Sequence, residues 1–231
     1  MLKALLFLTV AMFLCLVAVT RGGACWAVLW PAANFAWIGI AYLARNAAVF
    51  GKRPDGTLAP GIMLWLSPFL GYQWSIWAIL RLVLRAPACQ QLLPDVWVGR
   101  RLLPHELPAG IERILDLTAE FPEPAGVRDQ RQYFSCPILD ATAPSASRLH
   151  EWLHEIECRP AHLLIHCAQG HGRTGLAAAA LLLKRGHARN PADAIARVQA
   201  VRRGVRLNRD QRRCLSDVAR LLASTTAAAG R

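Results

Sequence analysis

Residues 166–174 read His-Cys-Ala-Gln-Gly-His-Gly-Arg-Thr. A thiol, Cys167, and a guanidinium, Arg173, stand six positions apart with Gly170 and Gly172 between them. The run before them, Ala161 to Ile165, is mostly apolar and predicts a buried strand. The run after them, Gly175 to Leu183, is rich in Ala and Leu and predicts a helix. A strand, a tight glycine-containing turn and a helix start make an anion cradle, because successive backbone amides and the positive end of the helix face the same space. Arg173 adds a planar fork that can hold two phosphate oxygens. A thiol in such surroundings is expected in its thiolate form, which is a nucleophile aimed at phosphorus.

The Cys167-x5-Arg173 spacing, with His166 before it and Thr174 after it, resembles the signature loop of cysteine-dependent protein tyrosine phosphatases, in their dual-specificity branch. The resemblance implies that Cys167 attacks the phosphoryl group and that Arg173 binds substrate and stabilises the transition state. It also implies that the Thr174 hydroxyl assists departure of the sulfur, that His166 braces the loop, and that Ala168, Gln169, Gly170, His171 and Gly172 bind phosphate. No metal or organic cofactor is implied. An ester leaving group needs a proton. In the resembled family an aspartate on a loop after a strand, some thirty residues before the nucleophile, supplies it. Asp140 ends the apolar run of Phe134–Leu139, lies 27 positions before Cys167 and is the expected general acid. An Asx-type turn is its bland reading. Asp116 in Arg113-Ile-Leu-Asp-Leu is the runner-up, more in keeping with a strand edge, and Asp129 in a charged loop is weaker.

The elements that must position these groups are legible as alternating runs. Strands are predicted near 96–99, 112–117, 133–139 and 161–166, and helices near 145–158, 174–186, 191–202 and 209–222, an α/β order with a central sheet flanked by helices. Leu93–Arg100 resembles the opening strand of dual-specificity domains. Val201–Asn208 resembles the segment leading into their last helix, with Asn208 as N-cap and with Arg202, Arg203 and Arg206 rimming the active site, as a solvated basic face rather than in a direct catalytic role. The resemblance runs from about Gln90 to Leu222.

The first 86 residues have a different composition. They hold seven basic residues and one acid, Asp55, leaving 20 basic and 14 acidic residues from position 87 on. Three apolar stretches, Ala4–Thr20, Trp26–Ala44 and Ile62–Leu80, each approach the roughly 20 residues that cross a bilayer as a helix. Six of the eight tryptophans lie here, several near segment ends, as interfacial anchors do. Lys3 before the first stretch also suits a signal peptide. Arg21 interrupts the approach to a cleavage site, however, which favours an uncleaved helix. The expected organisation is therefore an N-terminal α-helical transmembrane region (1–86), a C-terminal α/β catalytic domain (87–222) and a frayed tail (223–231).

The net charge is +12. No nucleic-acid motif accompanies it, and half of the excess belongs to the apolar region, so membrane electrostatics explains it better than nucleic-acid binding. Basic flanking residues divide four against five between the two sides of the predicted spans, which does not decide the orientation. A catalytic thiol among an odd total of seven cysteines favours a reducing compartment, hence a cytoplasmic catalytic domain. Cys136 and Cys158 are candidates for a reversible disulfide with Cys167. His150 and His154, with Glu151 and Glu155, fit a solvated helix face better than a metal site. The substrates in view are a phosphorylated protein or, in the same fold, a phospholipid head group such as that of phosphatidylglycerol phosphate. The third reading is an inactive phosphate-binding module. The loop has no lysine among Ala168, Gln169 and His171, which argues against multiply phosphorylated inositol lipids.

Overall fold

The computed structural model describes residues 2–84, 86–129, 131–157 and 161–229. They form two compact units. The first comprises Met1–Arg53, Thr57–Arg85 and Ala119–Pro122, and the second Pro54–Gly56, Ala86–Thr118 and Glu123–Arg231.

The first unit is helical: α1 (Leu2–Arg21), α2 (Leu29–Leu43), α3 (Pro60–Trp65) and α4 (Ser67–Val83). α1 turns Ala4, Phe7, Ala11 and Ala18 inward, and a Cβ added at Gly39 of α2 would lie 2.8 Å from Leu8 Cγ, so the two helices pack closely. Phe7 anchors an aromatic cluster, with ring centroids 5.3 Å from Phe69 and 5.5 Å from Tyr42. Ala119–Pro122 is held in this unit by Lys52 Nζ, which donates to Phe121 O at 2.7 Å, and Trp74 Nε1, which donates to Glu120 O at 3.0 Å. The side chains of Leu5, Leu6, Met12, Phe13, Leu16 and Val19 are exposed on α1.

Among the described residues two helical segments, Leu2–Arg21 and Gly23–Leu43 (a 3-10 stretch, Gly23–Val28, running into α2), are long and apolar enough to cross a membrane. Over the third apolar stretch, Ile62–Leu80, the helix breaks at Leu66 into pieces of six and 17 residues. Pro68 in the first turn of α4 accounts for the break, since proline lacks an amide hydrogen and crowds the preceding turn.

The second unit is α/β, with β1 (Cys89–Leu93), β2 (Val96–Arg100), β3 (Arg113–Thr118), α5 (Ala125–Arg128), β4 (Gln132–Ile138), α6 (Ala146–Ile156), β5 (Leu163–Cys167), α7 (Gly172–Lys184), α8 (Pro191–Val201) and α9 (Arg209–Ala229). The sheet order is β1-β2-β5-β3-β4, parallel except for the antiparallel edge strand β1. β1 has no counterpart among the strands predicted from the sequence. α9 continues past Leu222 to Ala229, because its alanine-rich end favours helix.

α7 is buried from Arg173 to Leu182. Its Ala177–Ala180 run carries only methyl side chains, and α7 shares its core with Val98, Leu115 and Ile165 of the sheet. α6 lays Leu149, Leu153 and Ile156 onto the same core. Ile114 and Leu164 fill the opposite face together with Leu102, Ile111 and Val127. Parallel strands β5, β3 and β4 thus end at one edge, where open α/β sheets place their sites.

Candidate active site

β5 ends at Cys167, whose residue is 3 % exposed, and α7 begins at Gly172. Between them the chain reverses at Gly170, with φ +71°. A Cβ there would lie 2.4 Å from the carbonyl carbon and oxygen of Gly99, so both the left-handed backbone and the close approach to β2 require glycine. The carbonyls of this turn are all engaged. Ala168 O accepts from Arg101 N at 3.3 Å, Gln169 O and Gly170 O accept from Arg202, and His171 O accepts from Gly175 N at 2.8 Å. Gln211 packs its amide against Gly172.

Arg173, in the first turn of α7, is buried. Its Nη1 donates to the carbonyl oxygen of Ile138, the last residue of β4, at 2.9 Å and to that of Leu117, the penultimate residue of β3, at 3.3 Å. Its Nη2 lies 3.4 Å from Asp140 Oδ1. Asp140 is half-exposed on the loop that follows β4. The next residues of that loop are held by α9: Asn208 Nδ2 donates to Ala141 O at 2.7 Å, and Gln211 Nε2 donates to Thr142 O at 3.2 Å. Asn208 Oδ1 accepts from Gln211 N at 2.9 Å, and it caps α9 as expected. Thr174 Oγ1 donates to Gly99 O at 3.3 Å.

Behind the loop is a buried cluster. His166 Nδ1 lies 3.9 Å from Asp116 Oδ1 and its Nε2 lies 3.9 Å from Glu123 Oε1. Tyr133 OH donates to Asp116 Oδ2 at 2.6 Å, and Arg101 Nε lies 3.5 Å from Glu123 Oε2. Burial, then the neighbouring Asp116 carboxylate, pushes the Tyr133 phenol well above its ordinary range. Asp116, Glu123 and His166 are the one set of metal-ligating side chains grouped this closely among the described residues. Asp116 is therefore enclosed by this cluster. Asp129 pairs with neighbouring Arg128 at 3.5 Å. His150, Glu151, His154 and Glu155 lie on the outer side of α6.

The basic rim is corrected at one position: Arg202 is buried, while Arg203 and Arg206 are exposed. A cleft of about 400 Å³ beside the turn is lined by Pro87, Gln90, His171, Arg202, Arg203 and Gly204, among others. His171 is held below the usual imidazole range, first by burial and then by the charges of Arg202 and Arg206. The proposed disulfide between Cys136 and Cys167 is also corrected. β3 lies between their strands, and two strand spacings of about 9–10 Å exceed the roughly 7 Å that a disulfide spans. Burial raises the Cys136 thiol far above its ordinary range. Cys158 lies outside the described residues.

Sequence reasoning missed Glu123 and the burial of Arg202. Glu123 sits in a proline-flanked loop 43 positions from His166, and nothing local marks it. Arg202 sits among other arginines and reads as one more surface charge.

The family model of the Swiss Army Knife protein, DSP-PTPase phosphatase domain (PTP-SAK), matches residues 101–219. Among solved structures, Tk-PTP in its active form is 26 % identical, with a TM-score of 0.53 over 58 % of this chain and 97 % of that one. PTPMT1 in complex with PI(5)P is 14 % identical, with a TM-score of 0.54 over 60 % and 99 %. Human DUSP28 is 16 % identical, with a TM-score of 0.52 over 60 % and 97 %. The last two likenesses are of fold alone. No curated protein matches the chain.

Proposed function

The chain belongs to the dual-specificity phosphatase domain family of Swiss Army Knife proteins and is a cysteine-dependent phosphatase; from this premise we propose a membrane-anchored phosphomonoester hydrolase of the protein-phosphatase type, working through a cysteinyl-phosphate. The observation that carries the assignment of residues is the 3.4 Å approach of Arg173 to Asp140, which joins the phosphate-gripping fork to a carboxyl group 33 positions away.

In this reading the substrate phosphate sits in the turn 168–172 and is gripped by Arg173. Cys167 Sγ attacks phosphorus. The S–P bond forms as the bond to the leaving oxygen breaks, and that oxygen takes the proton of Asp140. Water then attacks phosphorus and gives its proton to the Asp140 carboxylate. The S–P bond breaks, returning the thiolate and inorganic phosphate. Arg173 holds the equatorial oxygens through both steps. Thr174, bonded to Gly99 O, sits one residue beyond this fork and serves the departing sulfur. His166 supports Cys167 from the buried cluster.

The apolar helices Leu2–Arg21 and Gly23–Leu43 supply the anchor, and a reducing compartment suits the thiol, so the catalytic domain is assigned to the cytoplasmic side. A lipid substrate is the second reading, supported by those helices and by the fold shared with PTPMT1, which is solved with PI(5)P. The test is phosphate release by the full-length protein in detergent, with C167S as blank. A phosphotyrosine peptide would be compared with phosphatidylglycerol phosphate in mixed micelles. Preference for the peptide supports the protein reading and preference for the lipid replaces it. Equality with the blank on both would overturn the hydrolase.

A further inference from the structure

A turn that offers its amides to an anion must turn its carbonyls elsewhere, and buried carbonyls need donors. One side chain supplies them for the two residues at the centre of the turn. Arg202, at the C-terminal end of α8, donates from Nε to Gly170 O at 2.7 Å and from Nη2 to Gln169 O at 3.2 Å. Its Nη1 donates to Pro87 O at 3.1 Å and to Gln90 Oε1 at 3.3 Å, at the start of the catalytic unit. Gln90 Nε2 in turn donates to Val201 O, which closes a ring around the guanidinium. Every one of these acceptors is neutral. Among the described residues no carboxylate pairs with Arg202, although it is only 3 % exposed.

A buried cation without a counter-charge is costly. The charge is tolerated where an anion is to be held close by, and the turn it clamps is the anion cradle. We propose that Arg202 is a positioning residue of the phosphatase site: it locks the Gln169 and Gly170 carbonyls outward, fastens the turn to the entering chain at Pro87 and Gln90, and sets a positive charge with no carboxylate partner behind the phosphate turn. Burial draws this guanidinium below the usual arginine range, and Cys167 is the strongest influence in the opposite direction, which agrees with an anion-facing placement. The proposal rests on the phosphatase reading of the same turn and adds a second arginine that does not touch substrate.

The two roles of Arg202 separate by substitution. R202Q keeps a polar side chain and removes the charge. R202K keeps the charge and loses the planar fork. Both would be made in the full-length protein. Inorganic phosphate affinity would be measured by calorimetry, kcat on an aryl phosphate, and the thermal midpoint in parallel. R202Q is expected to weaken phosphate binding and to lower kcat by about 10²-fold, the loss that a small misplacement of reacting groups causes. R202K is expected to bind phosphate nearly as wild type does while kcat stays low, a split that general destabilisation would not produce. Wild-type phosphate affinity in R202Q, or wild-type kcat in R202K, would overturn the proposal, and the lysine variant decides it should the glutamine variant not fold. A wild-type enzyme whose turnover does not depend on Cys167 would sink the phosphatase reading, and the phosphate affinities would still judge Arg202.

Discussion

Arg173 Nη2 and Asp140 Oδ1 are 3.4 Å apart, so the arginine that opens α7 and the carboxyl group that follows β4 meet at one edge of the sheet. Arg173 is fixed by the carbonyls of Leu117 and Ile138, while Asp140 is half-exposed on its loop. The rigid partner suits phosphate binding, and the exposed one suits proton exchange with a leaving group and water.

Asp140→Asn is therefore expected to separate substrates by leaving group. Release of an alkoxide, as from a phosphoserine peptide, should slow by about 10²–10⁴-fold, the usual worth of a positioned acid. An aryl phosphate with an acidic phenol should be far less affected. Steady-state rates on the two substrates decide it, and equal slowing would move the acid to another residue.

Arg173→Lys addresses the fork. Lysine can place a charge near phosphate but cannot bond two strand carbonyls and two phosphate oxygens in one plane. The expected loss in kcat/KM is about 10²–10³-fold, as for removal of one transition-state donor. Circular dichroism and a thermal midpoint would establish folding, and a loss below tenfold would contradict the role.

Most of the sheet could be read in advance because its parallel strands are short, largely apolar runs, with β3 and β5 buried along their whole length. Val96–Arg100, Arg113–Thr118, Gln132–Ile138 and Leu163–Cys167 fall close to the expected positions. The strand–turn–helix around Gly170 was legible for the same local reason, since strand, glycines and helix are contiguous. β1 was not: Cys-Gln-Gln-Leu-Leu lacks alternation, and its strand character comes from pairing with β2. The clamp by Arg202 and the approach of Glu123 to His166 join residues 32 or more positions apart, and only the packed sheet brings them together. In the apolar stretch 62–80, hydropathy alone does not register the break at Leu66 that precedes Pro68.

His171 makes the stability of the catalytic domain depend on pH in a defined direction. Its folded pKa lies below the ordinary 6.5, first through burial and then through Arg202 and Arg206. Well above pH 6.5 the imidazole is neutral in both states. As pH falls below 6.5 the unfolded chain takes up the proton first, so the folded state loses stability. Urea midpoints at pH 7.5 and 5.5 should accordingly fall more for wild type than for His171→Asn. Identical falls in the two proteins would show that His171 does not contribute.

The last prediction concerns the faces of α1. Ala4, Phe7, Ala11 and Ala18 are buried within the helical unit, while Met12, Phe13 and Leu16 are exposed. In water, Phe13→Lys would replace an exposed apolar group with a soluble one and leave folding undisturbed. In a bilayer it would set a charge near the middle of a span, at a cost of about 2.5–3.5 kcal/mol on the insertion scale. Ala11→Leu, in contrast, would crowd the packed face in either medium. Co-flotation of full-length protein with vesicles, and its resistance to alkaline extraction, should be lost or weakened by F13K. Unchanged flotation and extraction of F13K would show that this face does not meet lipid, and the anchoring reading would then fail while the catalytic one stood.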